Sequence, residues 1–170
     1  GNVELNSLQN QLDSVKKEKE SLETRLSQVS GADGNNKLLT AVIKAANLYI
    51  SNDSTGAAEA IADVDVSSLP VEEAKTLYNT ISGATMMNAA NDLYNRGMTA
   101  YNKADYTTAA DLLVRAYKCD KTKADAVFYA AKSYVALNQP DNAKKYYQII
   151  ADEFKSSGYV TEAQAYVQSH

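Results

Sequence analysis

The chain has 170 residues, and 17 lysines and arginines against 21 aspartates and glutamates give it a net charge of −4 at pH 7. This balance excludes the strongly basic surface of a nucleic-acid binder, and no apolar run approaches the length of a membrane span. One cysteine and one histidine exclude an internal disulfide and Cys-based or His-rich metal sites, and they argue against a histidine-driven catalytic pair. We therefore expect an all-α interaction protein with no enzymatic activity and no cofactor.

The first predicted element is a long amphipathic helix over residues 1–30. Its apolar residues step by three and four if Lys19 fills one gap, which is the period of a supercoiling helix. They form what is here called the N-terminal stripe: Leu5, Leu8, Leu12, Val15, Leu22, Leu26 and Val29. We predict that the stripe joins copies of the chain as a coiled coil. The alternative is that the helix packs back on its own chain.

Glycines and polar residues predict a linker at 31–36, and the remaining chain is predicted as helical hairpins. Residues 37–69 form a degenerate hairpin that turns near Asp53 and Gly56. Residues 70–123 combine a long helix, continuous or kinked near Gly83, with the second helix of a hairpin. Residues 124–155 form another hairpin, and residues 156–170 form a closing helix that covers its apolar face.

Two of these hairpins repeat at a shift of 34 residues. Small residues recur where helices must approach closely, namely Gly97 with Ala131 and Ala109 with Ala143. Larger residues recur where a groove between helices must be filled, as at Leu93 with Val127 and Leu113 with Tyr147, and Ala116 aligns with Ile150. Asp105 and Pro140 fall at the turns, where a helix start favours an acidic cap or a proline.

The pattern Leu93-x3-Gly97-x2-Ala100-Tyr101-x3-Asp105-Tyr106-x2-Ala109-x3-Leu113-x2-Ala116 resembles the tetratricopeptide repeat, and the copy from Val127 to Ile150 is similar. Ala104 and Asn138 stand where that family has its turn glycine. The resemblance implies a right-handed stack of antiparallel helical hairpins after the N-terminal coiled coil. It also implies that the first helix of each repeat lines a concave, partner-binding face.

By this resemblance the partner-binding residues fall at fixed positions of each repeat. We call them the predicted groove: Asn91, Tyr94, Asn95, Met98, Tyr101, Asn102, Phe128, Tyr129 and Lys132. Aromatic rings beside amide and ammonium donors suit an extended peptide, because rings pack side chains while amides pair with the peptide backbone. Asn95 and Lys132 are the nearest match to the family's carboxylate-binding residues. The alternative is that the rings pack against neighbouring helices or the closing helix.

The sequence thus favours a non-enzymatic scaffold that binds a protein or peptide partner and self-associates through its N-terminal helix. Two alternatives stay open: a module that binds envelope glycan through its tyrosines, and a purely architectural spacer. The coiled coil followed by repeats is also similar in architecture to bacterial envelope proteins. That similarity suggests a location outside a bacterial cytoplasmic membrane, with an anchor upstream of residue 1.

Overall fold

The computed structural model describes residues 1–29, 31 and 36–170, and every regular element in these residues is helical. The all-α prediction is therefore confirmed. The predicted linker at 31–36 lies outside the described residues apart from Gly31 and Asn36. A short 3-10 helix occupies Val66–Ser68. The α-helices are α1 (Asn2–Gln28), α2 (Lys37–Ile50), α3 (Ser54–Ile61), α4 (Glu72–Asn102), α5 (Tyr106–Cys119), α6 (Ala124–Ala136), α7 (Pro140–Glu153) and α8 (Val160–Ser169).

The chain divides into two compact units, Gly1–Ala89 and Ala90–His170. Helix α4 is continuous across this division, and Gly83 lies inside it. In the first unit α2 packs on α3 and α1 packs on α2. In the second unit consecutive helices pack on one another from α5 to α8. Neighbours in sequence are therefore neighbours in space, as expected of helical hairpins.

Helix α1 packs back on the first unit. Val15 and Leu22 are fully buried in a core that also contains Leu39, Val42 and Leu77. Leu12 and Leu26 are partly buried against the same core. Two polar contacts tie α1 to α4: the Thr80 hydroxyl donates a hydrogen bond to Glu18 Oε1 at 2.9 Å, and Arg25 Nε lies 3.9 Å from Glu73 Oε1.

This packing corrects the coiled-coil prediction for the central part of the N-terminal stripe. Val15 and Leu22 face the chain's own core, so they cannot also form a contact between copies. Leu5 and Leu8 are 64% and 59% exposed, whereas Leu12, Leu26 and Val29 are partly buried. The physical reason is that a stripe with a 3.5-residue period fits any helical neighbour, and α2 and α4 supply one within the chain.

Three helix ends share one turn geometry. Asn52, Ala104 and Asn138 have positive φ angles of 66°, 60° and 56°, and each lies two residues beyond the end of α2, α4 or α6. In all three turns the next N–H group donates to a carbonyl five residues back: Asp53 to Leu48, Asp105 to Ala100, and Gln139 to Tyr134, at 2.8–2.9 Å. This bond is part of the Schellman motif, which ends a helix with one left-handed residue. The degenerate hairpin therefore turns in the same way as the two repeating hairpins.

Ala104 is the least favourable residue of this set at positive φ, because alanine lacks the short polar side chain through which asparagine tolerates this conformation. We expect Ala104→Gly to increase the free energy of unfolding of the second unit by about 0.5–1 kcal/mol. Asn138→Ala makes the opposite change at the equivalent turn and should lower that free energy by a similar amount. Urea denaturation followed by circular dichroism measures both. If both variants raised the free energy of unfolding, or both lowered it, this account of the turns would be contradicted.

Candidate partner-binding surface

The predicted groove begins on the part of α4 that belongs to the second unit. Tyr94, Met98 and Tyr101 are half-buried and pack on a small core that contains Ala100 and Leu113. The neighbouring asparagines Asn91, Asn95 and Asn102 are exposed. The sequence produces this arrangement by placing two tyrosines and a methionine three or four residues apart, with asparagines beside them. The result is a surface of ring edges bordered by amides.

Helix α6 extends the ring surface. The Tyr101 and Tyr129 rings meet edge to face, with centroids 5.1 Å apart, and the Tyr106 ring also meets Tyr101 edge to face, with centroids 5.5 Å apart. Tyr129 in turn packs against Phe128 at 5.2 Å. Edge-to-face pairs at these distances are each worth about 0.5–1.5 kcal/mol beyond their burial. Rings from α4, α5 and α6 therefore form one continuous aromatic row, in the order Tyr106, Tyr101, Tyr129 and Phe128.

Lys123, which is not among the residues predicted from the sequence, lies beside the Tyr94 ring. Its Nζ lies 5.0 Å from the centroid of the Tyr94 ring and donates a hydrogen bond to Asn91 Oδ1 at 3.1 Å. The position follows from Lys123 being the residue that immediately precedes α6. The signal available in the sequence was a lysine immediately before the first helix of the second predicted repeat. It adds positive charge beside the ring.

Residues 156–170, here called the C-terminal segment, cover the α6 end of the predicted groove. Tyr159 stacks on Phe128 with centroids 4.1 Å apart, and its hydroxyl donates to Asp125 Oδ1 at 2.9 Å. Glu162 of α8 forms an ion pair with Lys132 at 3.5 Å. Phe128 is consequently only 7% exposed.

Two predicted groove residues are therefore corrected. Phe128 and Lys132 are engaged by the chain's own C-terminal segment, because that segment supplies the ring and the carboxylate that their chemistry favours. The sequence alternative, in which a ring packs against the closing helix, is right for Phe128 and also for Tyr129, whose ring centroid lies 6.5 Å from that of Tyr159. Tyr159 and Glu162 were not predicted as the residues that make these contacts. The available signal was that Tyr159 follows Asp125 by one repeat length.

Four phenols on or next to this surface, those of Tyr94, Tyr101, Tyr147 and Tyr159, have raised pKa values. Burial, followed by the hydrogen bond to Asp125, raises the pKa of Tyr159 from 10.0 to about 12. Burial and then the hydrogen bond that its hydroxyl donates to Glu162 raise the pKa of Tyr147 as well. Burial also raises the pKa of Tyr94 and of Tyr101. At neutral pH these groups therefore act as hydrogen-bond donors and apolar rings, not as acids.

The raised pKa of Tyr159 makes stability depend on pH in the alkaline range. The neutral phenol favours the folded state, so its contribution is complete below pH 10 and is lost as the pH rises through about 12. We expect Tyr159→Phe to lose less stability than the wild type between about pH 9 and about pH 12. Unfolding free energies measured across this range test the difference. Parallel curves for the two proteins would contradict the assigned contact.

Neither a metal centre nor a membrane span is evident in the described part of the chain. Within residues 1–29, 31 and 36–170, no group of three or more His, Cys, Asp and Glu side chains could hold a metal ion. None of the helices in those residues is long and apolar enough to cross a bilayer. No protein-family model, curated protein or solved structure matches this chain.

Proposed function

We propose that the chain is a non-enzymatic interaction module whose second unit binds a protein segment on the α4 side of the predicted groove. The observation that carries the proposal is the pairing of half-buried rings with exposed amides on one helix face, at Tyr94, Asn95, Met98 and Tyr101. Rings of this kind bury a partner's apolar side chains, and the amides hydrogen-bond to its backbone. The C-terminal segment packs instead on the α6 side of the predicted groove, where it contacts Asp125, Phe128, Tyr129 and Lys132.

The partner suited to this surface is an extended segment with apolar side chains. A ring that already packs against its neighbours loses little conformational freedom when a partner binds, which favours the contact. Tyr101 is such a ring, because it packs against both Tyr106 and Tyr129. Lys123, near the Tyr94 ring, favours an acidic group at the adjoining end of the segment. The expected ligand is therefore an extended peptide with apolar side chains and an acidic group at one end.

A selection from a random peptide library against the full chain tests the proposal. We expect selected peptides to bind Tyr94→Ala and Asn95→Ala at least about tenfold more weakly than the wild type. Asn142→Ala is the matched control, because Asn142 is an exposed asparagine on α7, outside the predicted groove. Lys132→Ala should have a smaller effect, since Lys132 is already paired with Glu162. Unchanged binding to Tyr94→Ala and Asn95→Ala would place the site elsewhere.

A purely architectural role is the second candidate, and the stack of Tyr159 on Phe128 favours it. In that role the rings serve only to close the helical stack, and no peptide should enrich. Enrichment of peptides whose binding requires Asn95 would exclude the purely architectural role, because a spacer needs no amide that contacts a ligand.

A further inference from the structure

The α6 end of the predicted groove has a floor of aromatic rings that pack on one another. Phe128 meets Tyr129 and Tyr147 edge to face, with centroids 5.2 Å and 6.2 Å apart. These rings belong to α6 and α7, which pack together as a hairpin and hold the rings in place. Tyr159 and Tyr166 of the C-terminal segment lie on this floor, and beneath them Phe128 and Tyr147 are only 7% and 3% exposed. The floor is therefore preformed for an aromatic side chain.

Polar groups border this floor and bind two different parts of the C-terminal segment. The Tyr159 hydroxyl donates a hydrogen bond to Asp125 Oδ1, while its ring stacks on the floor with centroids 4.1 Å apart. Glu162 Oε2 lies 3.5 Å from Lys132 Nζ and accepts a hydrogen bond of 2.8 Å from the Tyr147 hydroxyl. Tyr159 and Glu162 are three residues apart, a spacing that brings two side chains to one face of a helical turn. The site therefore recognises a phenol followed, three residues later, by a carboxylate.

The helix that follows Tyr159 is weakly anchored to the rest of the second unit. Within α8, all of which is described, Ala163 alone of the ten residues is buried. The side chains of Lys132 and Glu162 are 36% and 49% exposed, so water and salt weaken their attraction. A helix with few buried apolar contacts and exposed polar ones opens locally at less cost than the helices beneath it. The C-terminal segment can therefore leave the floor while α6 and α7 stay folded.

We propose that this floor is a second binding site, for a protein segment that carries tyrosine followed three residues later by glutamate. The chain's own C-terminal segment occupies the site until such a partner displaces it. The partner must outcompete a tethered segment whose effective concentration is roughly millimolar, so a segment that supplies only the ring or only the carboxylate loses the competition. The site uses none of the α4 residues of the proposed function, so either proposal can fail alone.

Hydrogen exchange on the full wild-type chain tests whether the segment opens. The amides of α8 should exchange at least about tenfold faster than those of α6 and α7, because α8 opens locally while the other two helices remain folded. Equal exchange rates in the three helices would make α8 an inseparable part of the fold and would overturn the proposal.

A fluorescently labelled peptide of residues 156–170, followed by anisotropy, tests binding to the full chain. In the chain, Glu162→Lys places two ammonium groups together and increases the fraction of chains with an open site. This variant should bind the peptide at least about tenfold more tightly than the wild type, because apparent affinity follows the fraction of binding-competent chains. Gln164→Lys is the matched control, since it adds the same side chain at an exposed position of the same helix and should bind like the wild type.

A charge exchange at Lys132 separates specific recognition from a general loosening of the fold. The Lys132→Glu chain should prefer the peptide with Glu162→Lys over the unaltered peptide by about tenfold or more. An unchanged preference would overturn the proposal. So would a Glu162→Lys chain that leaves the peptide unbound at about 1 mM, or that binds it no better than Gln164→Lys does. If the amides of α6 exchanged as fast as those of α8 in the Glu162→Lys chain, the segment would hold the fold together, which also contradicts the proposal.

Discussion

Gly97→Val is expected to destabilise the second unit by about 2–3 kcal/mol. A Cβ at this position would lie 2.8 Å from Leu113 Cγ, which is closer than carbon atoms approach, and a tight 3.3 Å from Leu112 Cβ. Leu113 is fully buried, so its side chain cannot move into solvent to make room. The glycine therefore sets the distance between α4 and α5. Urea denaturation followed by circular dichroism measures the loss.

Gly83→Val is the matched control for this prediction. Gly83 lies in the same helix, and a Cβ there would have no atom within 4 Å. Valine favours a helix slightly more than glycine does, so the unfolding free energy should stay within about 0.5 kcal/mol of the wild type. Similar effects at the two positions would mean that helix propensity, not the close approach of two helices, decides the outcome at Gly97.

Leu22→Ala is expected to destabilise the first unit by about 2–4 kcal/mol, independently of protein concentration. Leu22 is fully buried within the chain, so truncation removes apolar contacts and leaves a cavity. Leu8→Ala removes the same atoms from a side chain that is 59% exposed. At low concentration it should cost less than about 0.5 kcal/mol.

The comparison of these two leucines separates the two interpretations of α1. Thermal and urea unfolding at two protein concentrations measure the difference. If Leu22→Ala instead changed the sedimenting mass and left the unfolding of the monomer unaltered, α1 would pack between chains and not on its own unit.

The helical class and the positions of the hairpin turns follow from local chemistry, which is why the sequence predicts them. The Asp105 side chain accepts a hydrogen bond from the Thr108 N–H at the start of α5, and Pro140 begins α7. Both are decided by a few adjacent residues. The close approach of α4 and α5 at Gly97 was also predictable, because a small residue recurs in the sequence at this position of both predicted repeats.

Contacts between distant residues were not predictable in the same way. A 3.5-residue stripe is identical whether its neighbour belongs to the same chain or to another, so the sequence could not tell that Val15 and Leu22 face their own unit. Phe128 presents the same difficulty. Its helical position fits both a groove and a core, and only the three-dimensional position of Tyr159 decides between them.

These contacts also determine which part of the predicted groove is offered to a partner. At the α6 end, the Tyr159 ring already stacks on Phe128, and the Glu162 carboxylate already pairs with the ammonium group of Lys132. At the α4 end, the ring of Tyr94 is half-buried beside the exposed amide of Asn95. The surface proposed for binding is therefore the α4 end, and its shape depends on how closely α4 approaches α5 at Gly97.

A nuclear Overhauser measurement on the full chain tests that approach directly. The account predicts cross-relaxation between the Gly97 α-protons and the methyl groups of Leu113, since Leu113 Cδ2 would lie 2.9 Å from a Cβ at Gly97. If the Gly97 α-protons showed no cross-relaxation with any side chain of α5, the helices would not cross there, and neither the hairpin packing nor the surface built on it would stand.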